Sequence, residues 1–251
     1  MLHQFSRTEL AIGPEGLEVL KGSTVAVLGI GGVGSIAAEA LARAGIGRVI
    51  MIDKDVVDIT NINRQIPALT TTVGQPKADL MLERIKLINP ACDAVALRMF
   101  YTEETYERLF EYDLDYVIDA SDTIMYKVHI ILQCKQRGIP IISSMGAANK
   151  MDPTKFQVAD ISQTHTDPLA RVVRRKLREN GIKKGVKVVF STEEPKKPRK
   201  DVTQRIVPEN APEIRKAQMP PASISFVPPV AGLFMVSVAV NDILKKNGIE
   251  V

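Results

Sequence analysis

Cysteine is scarce and poorly placed for chemistry. Cys92 and Cys134 are the only two in the chain, and their wide separation argues against a disulfide scaffold. No cysteine follows Cys134, so the second half of the chain has neither a tetrathiolate zinc site nor a thiol nucleophile. Both thiols are read as inert and buried. The three histidines, His3, His129 and His165, are too scattered to form a metal-ligand set. Long apolar runs are also lacking. The longest, over 227–240, is interrupted by Pro228, Pro229 and Ser237 and is short for a bilayer, so it is expected to be a buried C-terminal helix. Residues 1–10 carry His3, Arg7 and Glu9 without the apolar stretch of a secretory leader, and a cytoplasmic location is expected. No internal repeat is visible.

A chain of 251 residues with 45% hydrophobic content can fill the core of one large α/β domain with an extension. The net charge of +4 is distributed unevenly. Residues 171–216 hold 15 Lys and Arg against 6 Asp and Glu, an excess of +9, which leaves −5 for the remainder. A basic segment therefore sits on an acidic domain.

Strand candidates at 23–28 and 48–52 flank a helix over 33–44, with Gly45 as its C-cap. Pro76 suits the first position of a second helix, whose apolar residues repeat at helical spacing from Ala78 to Ile88 until Asn89-Pro90 stops them. A strand at 94–97, a short helix at 103–110, a strand at 116–118, a helix at 124–137 and a strand at 140–142 follow. This alternation predicts an α/β fold with a doubly wound, mostly parallel Rossmann-like sheet covered on both faces. After Gly146 a strand at 156–161 and a basic helix at 168–179 are expected, then a charged, proline-rich mobile insertion, with return to the core from 227. The expected organisation is a nucleotide-binding core over 1–150, a basic segment over 151–226 and a C-terminal helix over 227–251.

The chemistry is concentrated near the start. Gly29-x-Gly31-Gly32-x-Gly34 turns a buried strand into a helix, where glycine lets the backbone approach a phosphate and the helix N–H groups attract its charge. Asp53 after the next strand suits ribose hydroxyls. The loop from Asp53 through Asp55 to Asn61, Arg64 and Gln65 adds amides and a cation where a dehydrogenase passes into its next helix.

The glycine turn, the Asp53-x-Asp55 loop ending in Asn61-x-Asn63-Arg64-Gln65, Gly74-Gln75-Pro76-Lys77, and Asp119-Ala120-Ser121-Asp122 together resemble the ubiquitin-activating-type adenylating enzymes, the ThiF/MoeB-like superfamily. The resemblance covers residues 1–150. It implies ATP and Mg2+ as cofactors and transfer of AMP to a carboxylate. It also implies Asp53 on the ribose, Asn61, Arg64 and Lys77 around the triphosphate, Gln65 lining the cavity, and Asp122 holding the metal. The segment Phe5-Ser6-Arg7 resembles the family's arginine motif, which reaches the partner's phosphates, and so implies a homodimer. The stretches 149–154 and 166–171, followed by the basic helix, resemble the branch of tRNA threonylcarbamoyladenosine dehydratases. That branch adenylates the threonylcarbamoyl carboxylate beside the anticodon and closes it into a ring. An intramolecular nucleophile then makes a protein thiol unnecessary. Arg171, Arg174, Arg175, Lys176 and Arg178 are the expected tRNA contacts, through the RNA backbone, since no aromatic lies between 171 and 189. A monovalent cation and a sulfur-relay protein are further accessory factors that the resemblance admits.

Other readings stay open on the residues alone. The glycine turn could serve NAD, although Arg64 and Lys77 suit a triphosphate better. Asp122 could cap the helix beginning near Thr123. Asp119 reads as structural, accepting local N–H groups. An activator of a small sulfur-carrier protein would share the ATP site, and a non-catalytic tRNA-binding protein would need only the basic segment.

Overall fold

The computed structural model describes residues 2–199, 201–202 and 221–250. The expected mobile insertion falls largely on 203–220, which lie outside the described residues.

The helices are α1 (Ser6–Lys21), α2 (Gly34–Ala44), α3 (Lys77–Ile88), α4 (Ile124–Arg137), α5 (Pro168–Glu179) and α6 (Pro228–Lys246). The strands are β1 (Thr24–Leu28), β2 (Arg48–Ile52), β3 (Asp93–Leu97), β4 (Tyr116–Asp119), β5 (Ile141–Ser144), β6 (Phe156–Asp160) and β7 (Lys187–Ser191). They form one sheet in the order β3-β2-β1-β4-β5-β7-β6. Every pairing is parallel except β6 with β7.

Alternation along the central strands divides the core between the two faces of the sheet. Val25, Val27, Val49, Met51 and Ile118 point toward α2, α3 and α6, whereas Ala26, Leu28, Ile50, Ile52 and Val117 point toward α4 and α5. Helix α6 lies close on α2. A Cβ at Gly232 would overlap the Val33 carbonyl oxygen and Ile36 Cγ2, so only glycine allows the approach. By length and composition α6 could cross a membrane, yet Ala231, Met235, Ala239, Ile243 and Leu244 are buried in the core.

Two elements do not show in the sequence pattern. Helix α1 contains Gly13-Pro14, a turn signal, and Gly13 does break the helical geometry at φ 73. Leu17 and Leu20 nevertheless bury one face. Strand β7 offers only Val188-Val189-Phe190 between lysine-rich flanks, but inserts between β5 and β6 with all three buried. The helix expected over 103–110 is only a 3-10 turn at Tyr106–Leu109. The Thr102 and Thr105 hydroxyls accept from Glu104 N at 3.2 Å and Thr102 N at 3.0 Å, which competes with helical bonding. Pro76 is the N-cap of α3 rather than its first helical residue, because its ψ of 128° is extended.

Candidate active site

A cavity of about 370 Å3 opens at the C-terminal ends of β1, β2 and β4, where the strand order reverses about β1. This is the crevice in which open α/β sheets bind ligands.

Its floor is the glycine turn. Gly29 has φ +84, and a Cβ there would stand 2.9 Å from the Ala120 carbonyl oxygen. Around Gly31 the nearest atom to such a Cβ is Gln65 Nε2 at 3.8 Å, which leaves the backbone open to a ligand. Gly32 lies beneath Pro228 and the Arg64 stem. Gly34 does not line the cavity; it lets α2 start against the Gly29 carbonyl, which a Cβ would overlap. Among the described residues no side chain caps α2; Ser35 N donates to Gly31 O at 3.0 Å, and the other N–H groups of this first turn are those that a phosphate could meet.

Asp53 follows β2 directly and fixes the turn. Its Oδ2 accepts from Ile30 N at 2.6 Å and its Oδ1 from Asp55 N at 2.7 Å. Burial pushes its carboxyl above the ordinary carboxylate value, against the pull of those two amides. Burial also resists ionisation of Asp55, but Lys54, bonded to it at 2.7 Å, and Lys77 outweigh this and hold its carboxyl below the usual value. Lys77, at the start of α3, is buried with its Nζ 3.5 Å from Asp55 Oδ2. Arg64 Nη1 donates to Thr60 O at 2.9 Å and Asn63 Oδ1 at 2.8 Å, and desolvation lowers its pKa. Gln65 Oε1 is buried in the cavity wall with no hydrogen-bond partner among the described residues. An orphaned acceptor there fits a bound nucleotide's donors.

The structure thus brings together Gly29, Gly31, Gly32, Asp53, Asp55, Arg64, Gln65, Lys77 and Asp122. Asn61 does not line the cavity. Its Oδ1 accepts from Asp58 N at 3.1 Å in a capping box, so its amide shapes the loop carrying Arg64. Arg7, on α1, is exposed and outside the cavity of its own chain.

The loop after β4 separates two aspartates. Asp119 is fully buried, paired to the equally buried Lys127 at 2.8 Å, and accepts from Ser143 Oγ at 2.6 Å and Ser121 N at 3.1 Å. It is structural, as its position suggested. Asp122 is exposed and does not cap α4: the N-cap is Thr123, without a side-chain capping bond. Among the described residues no three His, Cys, Asp or Glu gather into a metal site. Asp122 lines the cavity as an exposed carboxylate that could join phosphate oxygens around a divalent cation.

Sequence reasoning missed Lys54, Phe100, Tyr101 and Tyr126, which also line the cavity. Lys54 Nζ lies 4.0 Å from the Phe100 ring centroid, and Phe100 meets Tyr126 edge-on. Their placement after β2 for Lys54, after β3 for Phe100 and Tyr101, and near the start of α4 for Tyr126 was the available signal. The cysteines match expectation, since burial pushes Cys92 up to about 11 and Cys134 to about 12.

The two stretches singled out at 149–154 and 166–171 meet in the structure. Buried Lys150 pairs with buried Asp167 at 3.1 Å, and Asp167 also accepts from Gly146 N and from Ala170 N, both at 3.0 Å, capping α5. The preceding residues, Asn149 and Thr166, both have φ 62. On α5, Arg171, Arg175 and Arg178 are exposed on one face. Arg174 is half-buried, with Nη1 donating to Thr164 O at 2.6 Å.

The ThiF family model matches residues 5–250. The chain belongs to that family. Within it, the chain falls among the tRNA threonylcarbamoyladenosine dehydratases. One from Bacillus subtilis (strain 168) is 67% identical over 245 residues, 98% of this chain and 96% of that protein. The crystal structure of an Escherichia coli tRNA N6-threonylcarbamoyladenosine dehydratase in complex with ATP is similar at a TM-score of 0.87 and 36% identity, covering 98% of this chain and 95% of that one. An Escherichia coli molybdopterin-synthase adenylyltransferase is 30% identical over 169 residues, 67% of this chain and 65% of that protein.

Proposed function

We propose that this chain is an ATP-dependent tRNA threonylcarbamoyladenosine dehydratase. The observation that carries the reading is its near full-length likeness to the Bacillus subtilis dehydratase. The cavity supplies compatible chemistry. A carboxylate oxygen of the substrate attacks the α-phosphorus of ATP, and the bond to pyrophosphate breaks. A nucleophile within the same threonylcarbamoyl group then forms a bond to the activated carbonyl, AMP departs with the carboxylate oxygen, and a proton passes to solvent. The net loss is one water.

The protein's part is positioning and electrostatics. Asp53 accepts the ribose hydroxyls, while Gly31, Gly32 and the α2 N-terminus approach the phosphates. Arg64 and Lys77 spread charge during transfer. Asp122 would hold Mg2+, which supplies charge neutralisation on phosphate oxygens. No protein base or thiol is needed, in keeping with the two suppressed cysteines.

The exposed face of α5, Arg171, Arg175 and Arg178, would meet the tRNA backbone, with Lys176 beside them. A homodimer in which Arg7 reaches the partner's phosphates, a cytoplasmic setting, an activating monovalent cation and a sulfur-relay partner belong to the same proposal. So does the working division at residues 150 and 226.

The test is mass spectrometry of nucleosides from tRNA carrying threonylcarbamoyladenosine after incubation with the protein, ATP and Mg2+. Loss of one water from that nucleoside is expected. No modified tRNA, together with pyrophosphate exchange stimulated by a sulfur-carrier protein, would overturn the reading.

A further inference from the structure

Two asparagines with no role so far hold one short stretch of chain against the cavity. Asn149 adopts φ 62, a left-handed conformation that asparagine tolerates better than most residues. From it, the backbone N–H donates to Ala222 O at 2.7 Å, and the side-chain Oδ1 accepts from Ala222 N at 2.8 Å. Its carbonyl accepts from Lys196 N at 2.7 Å. Residue 222 is thus gripped on both its polar groups, as a neighbouring strand would grip it. One residue on, Asn63 Nδ2 donates to Ser223 O at 3.0 Å. The same amide accepts from Arg64 Nη1 at 2.8 Å through its Oδ1. Pro221 and Ser223 line the nucleotide cavity beside Arg64.

We propose that Asn63 and Asn149 are positioning residues that seat residues 221–223 and the Arg64 guanidinium as one unit, so that Arg64 is correctly aimed only when this stretch is docked. The proposal rests on reading Arg64 as the phosphate-directed cation. Among the described residues both bonds of the guanidinium fall on Nη1, which leaves Nε and Nη2 for phosphate oxygens. A planar group held on one edge by Thr60 O and Asn63 Oδ1 has its rotation fixed. Without Asn63, only the Thr60 carbonyl remains. Without Asn149, Ser223 O loses its fixed place, and the Asn63 amide loses the bond that orients it.

The experiment compares wild type with Asn63→Ala, Asn149→Ala, Asn149→Asp and the double alanine variant. Asn149→Asp keeps both an Oδ1 acceptor and tolerance of the left-handed backbone. Each alanine variant should lower kcat for tRNA dehydration by about 10- to 100-fold, the scale of a small misplacement of a reacting group, with KM for ATP within about twofold. The double variant should be no slower than the slower single, because both act through one unit. Asn149→Asp should recover most of the loss. Amide hydrogen exchange gives a second readout: it should accelerate over residues 222–226 in both alanine variants while β1 and α2 exchange as in wild type.

Unchanged kcat in either alanine variant, multiplying losses in the double, or faster exchange throughout α2 would each overturn the proposal. If wild type fails to dehydrate tRNA, the functional reading falls instead. Exchange over 222–226, which needs no turnover, then still judges the seating.

Discussion

Asp53 spends both carboxylate oxygens on backbone amides and still has lone pairs left for a ligand. Asp53→Ala should therefore weaken ATP by about 1.5 to 3 kcal/mol, the scale of hydrogen bonds to a charged group, and isothermal calorimetry reads this directly. Lys127 makes a different case. It faces Asp119 with both side chains sealed from water, so Lys127→Met leaves an uncompensated buried carboxylate. The expected loss is about 3 to 5 kcal/mol of unfolding free energy, measured by urea denaturation. The sequence marked Asp119 as structural but gave no sign of Lys127, which looks like any helix lysine when its partner is known only by fold. Asn61 misled for the opposite reason: a polar side chain in a ligand loop was spent on a turn.

Glu39 joins two helices, accepting from Arg43 on α2 and from Arg84 on α3. Burial resists its ionisation, but the Arg84 and Arg43 bonds outweigh this and hold its carboxyl below the ordinary value. Its contribution is thus fully present above the unfolded pKa and is lost as pH falls through the lower folded one. Glu39→Gln should lose about 1.5 kcal/mol at pH 7, and the gap from wild type should close on acidification, as thermal melts between pH 7 and 3 would show. Helix α5 divides by face. Charge reversal of Arg171, Arg175 and Arg178 should reduce the slope of log tRNA affinity against log salt by roughly three, read from binding titrations. Arg174→Ala should instead lower stability, because its guanidinium holds the Thr164 loop. Helices α4 and α5 begin and end where periodicity and capping place them, at 124–137 and 168–179. Helix α1 and strand β7 were illegible because what makes them regular is tertiary. Gly45, which closes on Leu17, and the slot between β5 and β6 override a turn signal and a lysine-rich context.

Across the whole molecule, the mostly parallel α/β architecture and the acidic and basic division follow from alternation and charge and were readable in advance, whereas the strand order, with β7 between β5 and β6, was not. What the sequence could not supply is which loops converge, such as 149–150 with 166–167. Arg7 lies outside its own chain's cavity, so subunit mixing tests assembly. On the proposed trans role of Arg7, Arg7→Ala and Arg64→Ala proteins should each be inactive alone and regain part of the wild-type rate once exchanged, because a mixed dimer would contain one complete site. Activity assays after demonstrated exchange decide it. The seat of α6 against α2 bears on biosynthesis. The glycine turn and α2 leave the ribosome well before the helix that covers them, which spans residues 228–246. Nascent chains therefore carry the glycine turn on an uncovered apolar helix until those residues have followed, an interval in which exposed surface invites chaperones or aggregation.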